Sequence, residues 1–162
     1  MTRLRALALG TVSLALAFTA ACSLGGSLES EDPATVEETT FAASLGVDLT
    51  KSTQITNGAY IRDLVVGTGP MVTTGDSVSV KYTGWLANGT QFDSNTGSAT
   101  PYGVRLGAGK VIAGWDKGIP GMRVGGTRQL LIPPVLAYGY YSVGPIPANS
   151  VLVFTVQIVG NP

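Results

Sequence analysis

The sequence predicts an α+β domain, one antiparallel β-sheet with a short helix covering one face, behind an N-terminal leader and tether. Three observations predict it. In Asp76-Ser77-Val78-Ser79-Val80-Lys81-Tyr82-Thr83 the alternation puts Val78, Val80 and Tyr82 on one side and Ser77, Ser79, Lys81 and Thr83 on the other, the pattern of a half-buried antiparallel strand. Asn88-Gly89 stands between two such runs and signals a hairpin. Val111, Ile112, Trp115 and Ile119 recur at helical spacing, and Pro120 closes the segment. One sheet with one helix on its face is a stable two-layer solution.

Taken in chain order, residues 1–21 read as a secretory signal peptide. A basic start, Met1-Thr2-Arg3-Leu4-Arg5, precedes a charge-free, mostly apolar stretch from Ala6 to Ala20 and the small residues Ala20 and Ala21. The stretch is shorter than the roughly 20 apolar residues of a membrane span. Cys22, the single cysteine, falls where cleavage would leave it as the new N-terminus, and an intrachain disulfide is impossible. Thr19-Ala20-Ala21-Cys22 resembles the bacterial lipobox, with Thr19 where that pattern prefers Leu. The resemblance implies lipidation of Cys22, and several acyl chains together anchor a protein stably to a membrane.

Residues 22–54 are expected to be a lipidated, flexible, acidic tether. They carry Glu29, Glu31, Asp32, Glu37, Glu38 and Asp48 against Lys51 alone, with Gly25-Gly26 and several Ser and Thr. A marginal helix over 36–49 is the one regular element the segment suggests.

Residues 55–162 are expected to be the folded domain. Gly126 to Ile132 reads as a strand stopped by Pro133-Pro134. The last strand runs from Val151 to Val159, with Leu152, Phe154, Val156 and Ile158 on one side. A domain of about 100 residues can stand on such a core, so this part is expected to fold without the tether.

Composition narrows the chemistry. Apolar residues make up 44% of the chain and charged residues 12%, which suits a compact core; 22 Gly and 9 Pro suit turns and short strands. With 0 His, Ser-His-Asp and Cys-His catalysis and His-based metal sites are excluded. From Ile55 onward seven bases face four acids, too weak and dispersed an excess for nucleic-acid binding.

Four stretches carry a family resemblance: DLVVGTG at 63–69, VSVKYTGWLANGTQFDS at 78–94, GKVIAGWDKGIPGMRVGGTRQLLIPPVLAYG at 109–139, and IPANSVLVFTVQIV at 146–159. In this order and spacing they resemble the FKBP-type peptidyl-prolyl cis-trans isomerases. The resemblance implies a twisted antiparallel sheet wrapped around one short helix, with an apolar pocket between them. It implies catalytic roles for Tyr82, Phe92, Asp93, Trp115, Tyr138 and Phe154, and substrate binding by Tyr102, Val111, Ile112 and Ile146. Trp115 falls on the pocket floor, the Val111-Ile112 backbone on the edge that bonds a peptide or macrolide, and the Tyr138 hydroxyl on a ligand carbonyl. Asp93 becomes a buried acceptor holding Tyr82; on the residues alone it can equally be a turn residue after Asn88-Gly89.

The sequence also departs from the family. The stretch after Tyr138 looks about one residue shorter than in well-known members and contains Pro145. An Arg often found soon after the Phe-Asp pair is not evident, and Tyr102 stands where Phe is common. No inserted domain interrupts 138–151, unlike the insert-carrying chaperone branch.

The reaction implied is rotation about X-Pro bonds during folding of extracytoplasmic proteins, needing no metal and no cofactor. The alternative is a proline-peptide-binding module or holdase with little turnover. Implied partners are proline-containing polypeptides, macrolide inhibitors of the pocket, and a membrane through lipid on Cys22, with no nucleic acid; the protein is expected to be a monomer. The implied location is extracytoplasmic and membrane-anchored, in a periplasm or at a cell surface.

Overall fold

The structure is a computed structural model that describes residues 32–160. The signal peptide, Cys22 and the first part of the tether lie outside the described residues. Seven strands form one antiparallel sheet: β1 (Thr53–Gln54), β2 (Tyr60–Val65), β3 (Ser77–Leu86), β4 (Gln91–Ser94), β5 (Tyr102–Arg105), β6 (Thr127–Ile132) and β7 (Leu152–Gly160). Helix α1 (Ala113–Gly118) lies between β5 and β6 in the chain. The strand order is β1-β2-β6-β7-β3-β4, with β5 paired to the first half of β3 and β4 to the second.

The alternation in β3 has the predicted consequence. Val78 and Val80 are fully buried; Val78 faces the buried Val104 of β5, and Val80 faces Ile158 of β7, where Leu152, Phe154, Val156 and Ile158 are all buried. Asn88-Gly89 makes the β3–β4 turn: Gly89 has φ 89°, a left-handed value that suits glycine, and Asn88 Oδ1 accepts from the Thr90 N–H at 2.9 Å.

Helix α1 is short and lies very close to β6. A Cβ on Gly114 would stand 2.4 Å from Ile132 Cγ2, and one on Gly118 would stand 2.9 Å from Leu130 Cδ2. These two glycines, one turn apart, let the helix backbone rest on the strand. Helical spacing had drawn Val111 and Ile112 into the helix, but both precede it. Ile112 is extended (φ −57°, ψ 146°), and its carbonyl accepts from the Trp115 N–H at 2.9 Å. The loop before them is tied down by Asp116, whose carboxylate accepts from the N–H groups of Gly107 (2.8 Å) and Gly109 (3.0 Å).

Residues 32–54 depart from the expected flexible tether. They lie along the outer face of the sheet, where Val36 is fully buried against Leu131, Val151 and Val153, with Ala34, Phe41, Leu45, Val47 and Leu49 packed around it. Hydrogen bonds pin the segment: Ala34 N–H to Asn149 Oδ1 (2.8 Å), Ala42 N–H to the Ala87 carbonyl (2.8 Å), Gln129 Nε2 to the Leu45 carbonyl (2.8 Å) and the Tyr60 hydroxyl to Glu37 (2.6 Å). Its regular structure is two short 3-10 turns, Ala43–Leu45 and Leu49–Lys51, and strand β1, which pairs with β2; no helix spans 36–49. The folded unit therefore starts before residue 55. The reason is physical: Leu131 of β6 and Val153 of β7, with Val151 just before β7, form an apolar patch on the outer face that needs a cover.

Candidate functional site

The inner face of the sheet and α1 enclose a cavity of about 200 Å³. Its walls are Tyr82 from β3, Phe92 and Asp93 from β4, Tyr102 from β5, Lys110, Val111 and Ile112 from the loop before α1, Trp115 from α1, Tyr138 after β6, and Phe154 from β7. Distant parts of the sequence thus converge because β3 sits between β7 and the β4/β5 pair.

Aromatic rings pack edge-to-face inside it. Trp115 stands 5.0 Å from Tyr82 and 5.4 Å from Phe154, at interplanar angles of 81° and 85°; Phe92 meets Phe154 at 5.5 Å and 86°. Gly84 makes this possible: a Cβ there would be 2.7 Å from both Phe154 and Phe92. Trp115 and Phe154 are buried, Tyr82, Phe92 and Tyr138 half-buried, and Tyr102 exposed at the mouth.

Among the lining residues, Tyr82, Asp93, Tyr102, Lys110 and Tyr138 bring a polar side-chain group to the cavity. The Tyr82 hydroxyl donates to Asp93 Oδ2 at 2.6 Å. Burial pushes that hydroxyl well above the usual tyrosine range, and the bond to Asp93 adds to the rise, so Tyr82 keeps its proton through neutral pH. Asn95 splints the end of the hairpin, accepting from the Tyr82 N–H at 2.7 Å and donating to the Val80 carbonyl at 3.0 Å. Among the described residues, the Ile112 N–H and the Tyr138 hydroxyl make no hydrogen bond, and both belong to cavity-lining residues. There is also no group of three or more His, Cys, Asp or Glu among them that could hold a metal.

Nine of the ten residues named from the sequence for catalysis or substrate binding line the cavity. Ile146 does not. The turn around Gly144-Pro145 is closed by Val143 N–H to Ile146 carbonyl (2.9 Å) and Ile146 N–H to Val143 carbonyl (3.0 Å), and it turns Ile146 into the core at 5% exposure. Asp93 holds Tyr82 as expected but is exposed rather than buried, because β4 is an edge strand. Lys110 is the wall residue the sequence reading missed, although it directly precedes Val111.

Residues 69–159 match the family model described as FKBP-type peptidyl-prolyl cis-trans isomerase. The chain belongs to this family. It is 44% identical over 103 residues to an FK506-binding protein of Neisseria meningitidis serogroup B, a match spanning 63% of this chain and 94% of that protein. It is 48% identical over 116 residues to FK506-binding protein 4 of Chaetomium thermophilum, across 72% of this chain but 23% of that longer one. Against the crystal structure of AtFKBP13 the TM-score is 0.64 at 39% identity, covering 68% of this chain and 98% of that one. In several of the curated relatives it matches, the chain spans only about a quarter to a third of the length. The FKBP match covers β3 to β7, α1 and the cavity-lining residues, and the segment 32–54 and β2 lie ahead of it.

Asp93→Ala tests the one carboxylate in this FKBP pocket. A hydrogen bond to a charged acceptor is worth about 1.5 to 3 kcal/mol when buried, and exposure reduces it. The expected loss is about 1 to 2 kcal/mol, or roughly 5- to 30-fold in kcat/KM, with little change in Tm. Unaltered turnover at unaltered stability would mean that the bond from Tyr82 to Asp93 has no part in catalysis.

Proposed function

We propose that this chain is a peptidyl-prolyl cis-trans isomerase that accelerates X-Pro rotation in proteins folding outside the cytoplasm, held at a membrane by acyl chains on Cys22. The observation that carries the activity is the cavity walled by Tyr82, Phe92, Trp115 and Phe154, with the Ile112 N–H and the Tyr138 hydroxyl at its lining. An X-Pro amide turns slowly, over a barrier of roughly 18 to 20 kcal/mol, because its resonance holds it planar. Twisting breaks that resonance and leaves less negative charge on the carbonyl oxygen. A wall of Tyr82, Phe92, Trp115 and Phe154 excludes water and so disfavours the more polar planar state. The Ile112 N–H and the Tyr138 hydroxyl can hold the peptide backbone in the twisted geometry. No bond is broken, so the reaction needs no nucleophile, metal or cofactor. Macrolides of the kind for which the relatives are named should compete for the same cavity.

The test is refolding of a protein limited by proline isomerisation. The full-length chain at substoichiometric amounts should accelerate the slow phase. Stoichiometric binding without acceleration would instead make the protein a holdase.

Membrane attachment rests on the N-terminal pattern. Attachment is assigned to Cys22 because the lone cysteine follows Thr19-Ala20-Ala21 in a lipobox-like pattern. Cys22→Ser should move the protein from the membrane to the soluble fraction, or leave it uncleaved, because the lone thiol is the only acylation point. Processed Cys22→Ser protein still bound to bilayers would rule this attachment out.

A further inference from the structure

Lys110 is a wall residue of the cavity for which the isomerase mechanism has no use. Its ammonium makes no hydrogen bond and no ion pair among the described residues, where the ion pairs are Lys51–Asp48 and Arg128–Asp63. Lys81 is the contrast. On neighbouring β3 its ammonium is spent on the Thr96 and Ser98 carbonyls at 3.3 and 3.1 Å.

Two charged side chains line the cavity, Asp93 and Lys110. Residues 91–112 and 133–150, which supply most of its rim, carry Asp93, Arg105 and Lys110 as their only charged side chains. The Asp93 carboxylate is already engaged by the Tyr82 hydroxyl at 2.6 Å and is not paired with Lys110. Lys110 is also next in sequence to the Val111-Ile112 strip, whose free Ile112 N–H is the backbone docking point in the proposed mechanism. A polypeptide held there must pass the ammonium.

We propose that Lys110 makes this pocket select chains that carry a carboxylate side chain beside the target proline. The inference rests on the isomerase reading of the same site. A bound peptide displaces water around the ammonium and lowers the effective dielectric between it and a nearby carboxylate, which strengthens their attraction. A Lys or Arg at the same substrate position meets repulsion, so the residue discriminates in both directions.

The experiment uses two peptide series, with Glu, Gln or Lys directly before the proline or directly after it. It reads kcat/KM and calorimetric affinity at about 20 mM and about 500 mM salt. For one of the two positions the Glu/Gln ratio should be about 3 to 10 at low salt and fall towards 1 at high salt, with Lys below Gln. Lys110→Gln should bring the Glu/Gln ratio to about 1, and Lys110→Glu should invert it. Each variant serves as its own reference, because only ratios between peptides are compared. A ratio near 1 in the unaltered protein, or a Glu preference that survives Lys110→Gln, overturns the inference. Turnover of the Gln peptide with no charge preference would remove this inference and leave the isomerase reading standing. A Lys110-dependent Glu preference in affinity without any turnover would remove the isomerase reading and leave the charge selection standing.

Discussion

Removing residues 32–54 should destabilise the domain by about 3 to 5 kcal/mol, although the cavity and all of its lining residues lie outside the deleted segment. The deletion uncovers Leu131, Val151 and Val153 and loses the fully buried Val36 together with the partly buried Phe41, Leu45, Val47 and Leu49. Fully burying a side chain of this size is worth about 1.5 to 3 kcal/mol, and the half-buried ones contribute less. Ordering the segment opposes this gain, which keeps the net below the sum of the parts. It also frees Gln129, whose amide donates to the Leu45 carbonyl, and Asn149, whose Oδ1 accepts from Ala34. Chemical denaturation of chains starting at residues 32 and 55 measures the difference. Val36→Asp in the longer chain should reproduce much of it, since a carboxylate cannot be buried there unpaired. Equal stability of the two chains would mean that the segment merely lies on the sheet.

Asp63→Ala is expected to destabilise the fold by about 3 kcal/mol, and by more than Arg128→Met does. Arg128 is buried at 5% exposure beneath the end of α1. Its Nε and Nη2 donate to the two oxygens of Asp63 at 2.7 and 3.0 Å, and its Nη1 donates to the Gly118 carbonyl at 2.8 Å. Removing Asp63 leaves a guanidinium in the interior with only carbonyl dipoles to face. Removing Arg128 takes the charge away, and the Asp63 carboxyl, 41% exposed, turns to water. The asymmetry between the two partners is the diagnostic part of the prediction. Denaturant midpoints of the two variants decide it, and a reversed order would mean that the helix-end carbonyls, not Asp63, hold the guanidinium.

Much of this architecture was legible because the sheet alternates. Val78 and Val80 in β3, and Leu152 through Ile158 in β7, declare the inner face at a period of two, and Asn88-Gly89 declares the turn between β3 and β4. The outer cover was not legible from charge content. Glu37 and Glu38 made the segment around Val36 look like a solvated run, yet Val151 and Val153, on the side opposite Leu152 and Phe154, already required a partner. The pocket aromatics were legible only through the family motifs, since edge-to-face packing of Trp115 with Tyr82 and Phe154 leaves no local pattern. Ile146 went to the core because the paired hydrogen bonds between Val143 and Ile146 close the Gly144-Pro145 turn and carry it inward. Lys110 was overlooked because an exposed lysine in a loop has no periodicity to mark it.

The proposed isomerase turns X-Pro bonds in its aromatic pocket without moving a proton. NMR exchange between the cis and trans forms of a proline peptide lacking titrating side chains tests this. The measurement is made with catalytic amounts of the protein between pH 5.5 and 8. The exchange should be accelerated, and kcat/KM should be nearly flat across that range. The chain has 0 His, and burial holds the Tyr82 hydroxyl protonated throughout. No acceleration, or a steep limb with a midpoint near 6.5 to 7, where an unperturbed histidine titrates, would contradict it.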